Sequence, residues 1–364
     1  MKLLTKNINL SPIAKNGFFA FTIVILGFVV MQSMVSLGNV SYTLQGQLVP
    51  ITAYIVMAIS LNLTVGIMGD LSLGHAGFMS VGAFSGAVAC IALETVIPDA
   101  VLRLAASMVI GACFAGAVGF LIGIPVLRLR GDYLAIVTLA FGEIIRNILN
   151  CIYIGLDGGR LRFGFLTSIS AMNMGEGAKT IVEGPMGIGG IPRISTFGIG
   201  IVLIIVTLII VLNLVSSRSG RAIMALRDNR IAAESIGINP TKYKLMAFVT
   251  SAALAGAAGT LYVMNFSTMT ASKFNFNTSI LILVFVVLGG LGNMWGSIVA
   301  AAALTILPEM LRQFNDYRML AYAIILILVM IATNNRTVRS FIVNTIFANT
   351  IGRLGRLFRR WRSG

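Results

Sequence analysis

The sequence predicts an all-α protein, a polytopic transmembrane helical bundle of about ten spans. Three observations carry this. Hydrophobic residues make up 57% of the 364 residues and charged residues only 11%, against about 25% charged in a soluble domain. Apolar stretches of spanning length, about 20 residues each, recur along the chain, and mean hydropathy is +0.93. The net charge of +15 is concentrated in a few segments between those stretches. That is how Lys and Arg distribute in the inner loops of membrane proteins, and it argues against a nucleic-acid partner.

The spans follow in order. Lys2, Lys6 and Lys15 precede the first, Phe18–Val35, and place the N-terminus in the cytoplasm. That run is long for a signal peptide and lacks a small-x-small site after it. A polar segment, Ser36–Gln47, leads outside to Leu48–Met68. Gly69 and Asp70 make a tight break before Leu71–Leu93. The short acidic loop with Glu94 and Asp99 suits the outside. Leu104–Leu127 returns to Arg128 and Arg130, and Tyr133–Ile154 goes out again. Segment 155–195 is the longest loop, read as periplasmic, and its glycines and prolines predict ordered turns. Thr196–Val215 leads to the basic loop 216–244, read as cytoplasmic. Leu245–Met264, Ser279–Leu291, Gly296–Leu311 and Met319–Thr333 complete the count. The glycine-split pair before the last span is open to two readings, full spans or half-helices and re-entrant segments. The inner segments then hold 18 of the 27 Lys and Arg, and both termini are cytoplasmic.

The transmembrane domain thus covers 1–333, and a basic tail covers 334–364. Its apolar positions recur at helix-like spacing among seven arginines, as in an interfacial helix on an anionic leaflet. Cys90, Cys113 and Cys151 lie in apolar runs without metal spacing and are expected to be free thiols.

Enzyme motifs are missing. There is no GxxxxGK[ST], HExxH or GxSxG. The single histidine, His75, stands near Ser72, and a packing or hydrogen-bonding role outweighs an intramembrane hydrolase. No catalytic residue, cofactor or metal is expected. The stretch Gly69–Ala83, rich in glycine, serine and alanine, suits close helix packing. It also suits a broken helix lining a pathway, where backbone amides and Ser72 hold a polar solute. Asn62 would face the same place. Glu143 and Arg146, three apart on one helix, fit a self-neutralising pair or a gate. Gly66–Gly74 and Gly289–Gly296 echo one another as glycine breaks between apolar runs.

The basic loop carries Arg218, Arg221, Arg227, Arg230, Lys242 and Lys244 against Asp228 and Glu234. Asp228 or Asn229 can cap a short helix. Gly237 can end it, and Asn239 with Pro240 blocks continuation. The expected two-turn helix presents Ala232 and Ala233 as a smooth face for a groove on another protein; the plainer alternative is a basic connection lying on lipid headgroups.

Four blocks in order, DLSLGHAGFMSVGA from Asp70, GDYLAIVTLAFGEIIRNI from Gly131, GPMGIGGIPR from Gly184 and the long block Ser217–Tyr262, resemble the branched-chain amino-acid ABC transporter permeases, closest to their M-type subunits. Urea and short-chain amide permeases share much of these blocks. The resemblance implies a subunit of a bacterial inner-membrane importer, paired as a heterodimer with a second permease. Two cytoplasmic ATPases would power it and a periplasmic binding protein would deliver substrate. It implies that Asp228, Ala232, Ala233, Glu234, Gly237 and Asn239 lie on the ATPase-coupling loop. Asn62, Gly69, Ser72, His75 and Glu143 are the pathway candidates. A channel or facilitator working without ATPases is the rival class.

Overall fold

The computed structural model describes residues 12–38, 41–94, 96–129, 131–157, 160–165, 179–311 and 317–334. The predicted tail helix, 334–364, lies outside these residues apart from Asn334. A helix falls on each predicted span: α1 (Pro12–Ser36), α2 (Tyr42–Asn62), α3 (His75–Ala92), α4 (Ala100–Val126), α5 (Asp132–Asn150), α6 (Phe197–Ser216), α9 (Pro240–Val263), α10 (Phe276–Gly289), α11 (Met294–Met310) and α12 (Arg318–Asn334). Two more, α7 (Arg218–Asp228) and α8 (Arg230–Ser235), lie in the basic loop. Seven helices among the described residues are long and apolar enough to cross a membrane. Of the other three, α5 carries Asp132, Glu143 and Arg146, while α11 and α12 are shorter. The chain is a multi-pass membrane protein.

Polar caps move several predicted boundaries. The Ser41 hydroxyl accepts from the Leu44 amide, so α2 starts six residues before the apolar run at Leu48. Asp99, Thr196 and Asn275 cap α4, α6 and α10 in the same way. The fifth span ends at Asn150, because residues 152–154 belong to a strand. The expected turns of segment 155–195 include that strand's partners: β1 (Ile152–Asp157) pairs antiparallel with β2 (Arg160–Phe165) and β3 (Lys179–Glu183), in the order β2-β1-β3. After β3 come the anticipated glycine turns. Ile188 exchanges both backbone hydrogen bonds with Met269, and Arg193 donates to Ser267 at 3.1 Å. The small sheet is thereby fastened to the α9–α10 connection.

The core is α2, α3 and α9, with α4 packed along α3 and α9. Most of α2, α3 and α9 is buried, whereas α1, α4 and α6 expose long aliphatic stretches, including Ile25, Leu26, Val29, Leu121 and Val202. Apolar faces of this kind suit a bilayer. Between helices lipid gives no hydrophobic driving force, so close approach and interhelical hydrogen bonds decide. Glycines supply the approach. A Cβ on Gly82 would strike the backbone of Gly256, and one on Gly259 would strike the Met79 carbonyl. Hydroxyls supply the bonds: Thr260 donates to the Gly82 carbonyl at 2.8 Å, and Ser251 donates to the Ser60 carbonyl. Cys90, Cys113 and Cys151 are free, as expected.

Gly82→Val is therefore expected to cost about 3 kcal/mol or more through overpacking against α9. Thermal unfolding in detergent should show a large drop in Tm, whereas Gly198→Val, where nothing lies within 4 Å of the added carbon, should leave Tm nearly unchanged.

Candidate functional site

The second span is interrupted at one end. α2 loosens into a single π-helical stretch, Leu63–Met68, and stops at Gly69, whose φ of +80° is open to glycine at little cost. The chain then runs without helix to Gly74, and α3 begins at His75. π-turns of this kind concentrate at functional sites. Such a break frees backbone groups that need partners. The Asp70 amide bonds back to the Thr64 carbonyl at 3.2 Å. The Leu73 amide donates to the Thr138 hydroxyl at 3.1 Å, and the Ala76 amide donates to the Ser279 hydroxyl at 3.1 Å. The Leu73 and Ala76 amides, on either side of the start of α3, are thus met from within by hydroxyls of α5 and α10. Ser72 is buried there, and its Oγ has no hydrogen-bond partner.

Asn62, the last residue of α2, reaches the other glycine break. Its Oδ1 accepts from the Gly292 amide at 2.8 Å and its Nδ2 donates to Ser297 Oγ at 3.0 Å. Gly66 is so close to Gly292 that a Cβ there would collide with it. The two echoing glycine segments therefore meet in space. His75 lies on the inner face of α3, with Nε2 2.8 Å from Ser60 Oγ on α2 and its ring edge-on to Phe78. Those contacts support the packing role and leave no histidine–serine pair with Ser72. Glu143 does pair with Arg146, at 2.7 Å, on a half-buried face of α5. Among the described residues, no hydrogen bond or ion pair joins this pair to the Asn62 cluster.

The basic loop is more structured than expected. Ser217 caps α7, an unpredicted helix that buries Gly220, Ala222, Ile223 and Leu226. Asn229, not Asp228, caps the expected short helix α8, accepting from the Ala232 amide at 3.1 Å. Asp228 instead accepts from Arg227 at 3.0 Å. The helix ends where predicted, with Gly237 at φ +85°, and Asn239 caps α9 ahead of Pro240. Ala233, however, is buried against the protein itself and cannot seat in a partner. The outward face belongs to Ile231 and Ile236, 82% and 75% exposed, beside Ala232 and the Arg230–Glu234 pair at 2.6 Å.

Two contacts tie this loop to the break. Arg227, in the last turn of α7, donates through Nη1 to the Gly66 carbonyl at 3.0 Å. Its stem lies against Gly69, where a Cβ would sit 2.5 Å from Cγ. Lys244, in the second turn of α9, holds both carboxylate oxygens of Asp70, at 2.6 and 2.8 Å. The two side chains are 13% and 16% exposed. Stranding one member of this part-buried pair is destabilising.

A family model for the permease component of branched-chain amino acid transport systems matches residues 43–333. The chain belongs to this family. It is similar to the high-affinity branched-chain amino acid transport system permease protein LivM of Salmonella typhimurium, 37% identical over 313 residues. The match covers 82% of this chain and 69% of that one. LivM of Escherichia coli K12 is also 37% identical, over 293 residues, covering 76% of this chain and 66% of its own. No solved structure matches.

In this branched-chain permease family member, Asn62 and Gly69, both candidates from the sequence, lie at the break, while the contacts that Arg227 and Lys244 make there with Gly66 and Asp70 were not expected. A signal existed. Lys242 and Lys244 stand near the start of α9, the end of a helix where a cation is disfavoured. That placement calls for a carboxylate, and Asp70 is the acid beside the break. Asn62→Leu should leave the Gly292 amide without its acceptor, at a cost of about 1–3 kcal/mol. Its Tm in detergent should fall, while Asn265→Leu, an exposed contact to the Gly46 carbonyl, should matter far less.

Proposed function

We propose that this chain is the translocating subunit of an ABC importer for branched-chain amino acids, with its substrate crossing without covalent chemistry. The naming of the LivM relatives supports the substrate class, and the missing Walker motif supports an energy source in separate subunits. The observation that carries the reading is α8: a two-turn helix, capped at both ends, standing on a basic loop with Ile231 and Ile236 turned outward. Two large aliphatics so exposed outside any spanning segment fit a groove in another protein. Two ATPases would seat this helix and its counterpart on a second permease subunit in a heterodimer. In this reading loop 216–244 and both termini are cytoplasmic. The sheet of segment 155–195 faces a periplasmic binding protein, and the bilayer is the bacterial inner membrane.

Transport then proceeds by alternating access. Nucleotide drives it only by binding one arrangement more tightly than the other, and α8 carries that preference into the membrane domain. Replacing Ile231 and Ile236 together by Asp should leave the protein inserted while reducing copurified ATPase and substrate uptake at least tenfold. Undiminished ATPase capture would refute the docking role. Competition decides the cargo. Excess unlabelled leucine, isoleucine or valine should abolish uptake of labelled leucine, and urea or acetamide should not. Uptake of urea in place of leucine would reassign the chain to an amide permease.

A further inference from the structure

We propose that the Asp70–Lys244 ion pair and the Arg227–Gly66 bond form a two-point latch that passes movement of loop 216–244 to the break in the second span. Asp70, Arg227 and Lys244 are then positioning residues for transport, a role that rests on the loop being the ATPase contact. The geometry has three parts.

The latch grips α8 from both sides along the chain. Arg227 lies just before it, at the end of α7, and Lys244 just after it, in α9. The connections are short and fixed: Asn229 caps α8, the Gly237 amide returns to Glu234, and the Ile238 amide returns to the Ala233 carbonyl. With Ala233 buried, a push on the outward face of α8 is passed to both ends rather than absorbed in a slack loop.

The latch also lands on both sides of the hinge. Arg227 takes the Gly66 carbonyl within the π-turn, and Lys244 takes Asp70 immediately beyond Gly69. Gly69 is the left-handed residue between them, and the Arg227 stem leaves it no room for a side chain. A terminal helix carbonyl and a guanidinium attract through the helix dipole as well as the hydrogen bond. The enclosed ion pair is little weakened by salt. Both grips therefore hold while the elements they join move.

The hinge in turn is joined to the second break. Asn62 precedes the π-turn and bonds both the Gly292 amide and Ser297. Movement received at Gly66 and Asp70 thus reaches the start of α11 as well as the start of α3. Lys244 and Asp70 stand 174 residues apart in sequence, and Asn62 and Gly292 stand 230 apart, so neither contact is needed to fold a single local turn.

The test uses the assembled importer in proteoliposomes, with ATPases, second permease and binding protein, and reads uptake per ATP hydrolysed. Asp70→Asn and Lys244→Gln should each capture the ATPases normally and hydrolyse ATP, but deliver at least tenfold less substrate per ATP. Exchanging the charges, Asp70→Lys with Lys244→Asp, should restore most of that ratio, which loss of folding would not allow. If the single variants fail to accumulate in the membrane, Arg227→Gln carries the same measurement and should lower the same ratio. A wild-type ratio in these variants, or loss of ATPase capture in parallel with uptake, overturns the latch. Failure of the docking proposal looks different: the wild-type chain then captures no ATPase, and there is no ratio to measure.

Discussion

A helix that is interrupted frees backbone groups that need hydrogen-bond partners, and much of this structure answers that demand. The break between Gly66 and Gly74 draws in a side chain from nearly every neighbouring element. Thr138 comes from α5, Ser279 from α10 and Arg227 from α7, while Asn62 at the end of α2 turns to the α10–α11 break. The interruption is thus a junction of elements distant in sequence. It stands where the basic loop meets the bundle.

Around that junction the helices can approach because small residues line α3, α4 and α9. Gly82 and Gly256, Thr260 and Gly86, and Gly259 and Met79 lie at distances that exclude a larger side chain. The hydroxyls of Thr260 and Ser251 use the same closeness to reach carbonyls on neighbouring helices. A tightly packed trio at the centre makes the polar ends stiff. The proposed latch requires that stiffness, since a loose bundle would absorb the displacement in side-chain rearrangement.

The sequence exposed most of the helical plan because hydropathy and charge act locally. Ten apolar stretches became ten helices, and the end of α8 was readable from Gly237 and Pro240. Capping chemistry refined what hydropathy alone could not place, as Ser41 and Asn275 do for α2 and α10. The sheet was hidden because Ile152 and Ile154 read as the tail of an apolar span and its partners lie further along in a glycine-rich loop. The candidate site was legible only in part. Asn62 and Gly69 advertise themselves as a polar residue and a glycine in an apolar run. The burial of Ala233 was not legible, because which side of a two-turn helix faces inward depends on how α7 packs. Nor was the meeting of Lys244 with Asp70, since long-range ion pairs leave only the weak local sign of a cation at the wrong end of a helix.

The central claim is that the basic loop and the broken second span move as one piece. It is tested most directly by spin-label distances in the assembled transporter, after replacement of Cys90, Cys113 and Cys151. Labels go at Ser235 on α8, at Leu71 in the break and at Phe163 on the distant sheet, all exposed or on exposed elements. The account predicts that the 235–71 distance stays the same between nucleotide-free and nucleotide-bound states while the 235–163 distance changes. A 235–71 distance that shifts with nucleotide while the 235–163 distance holds would contradict it.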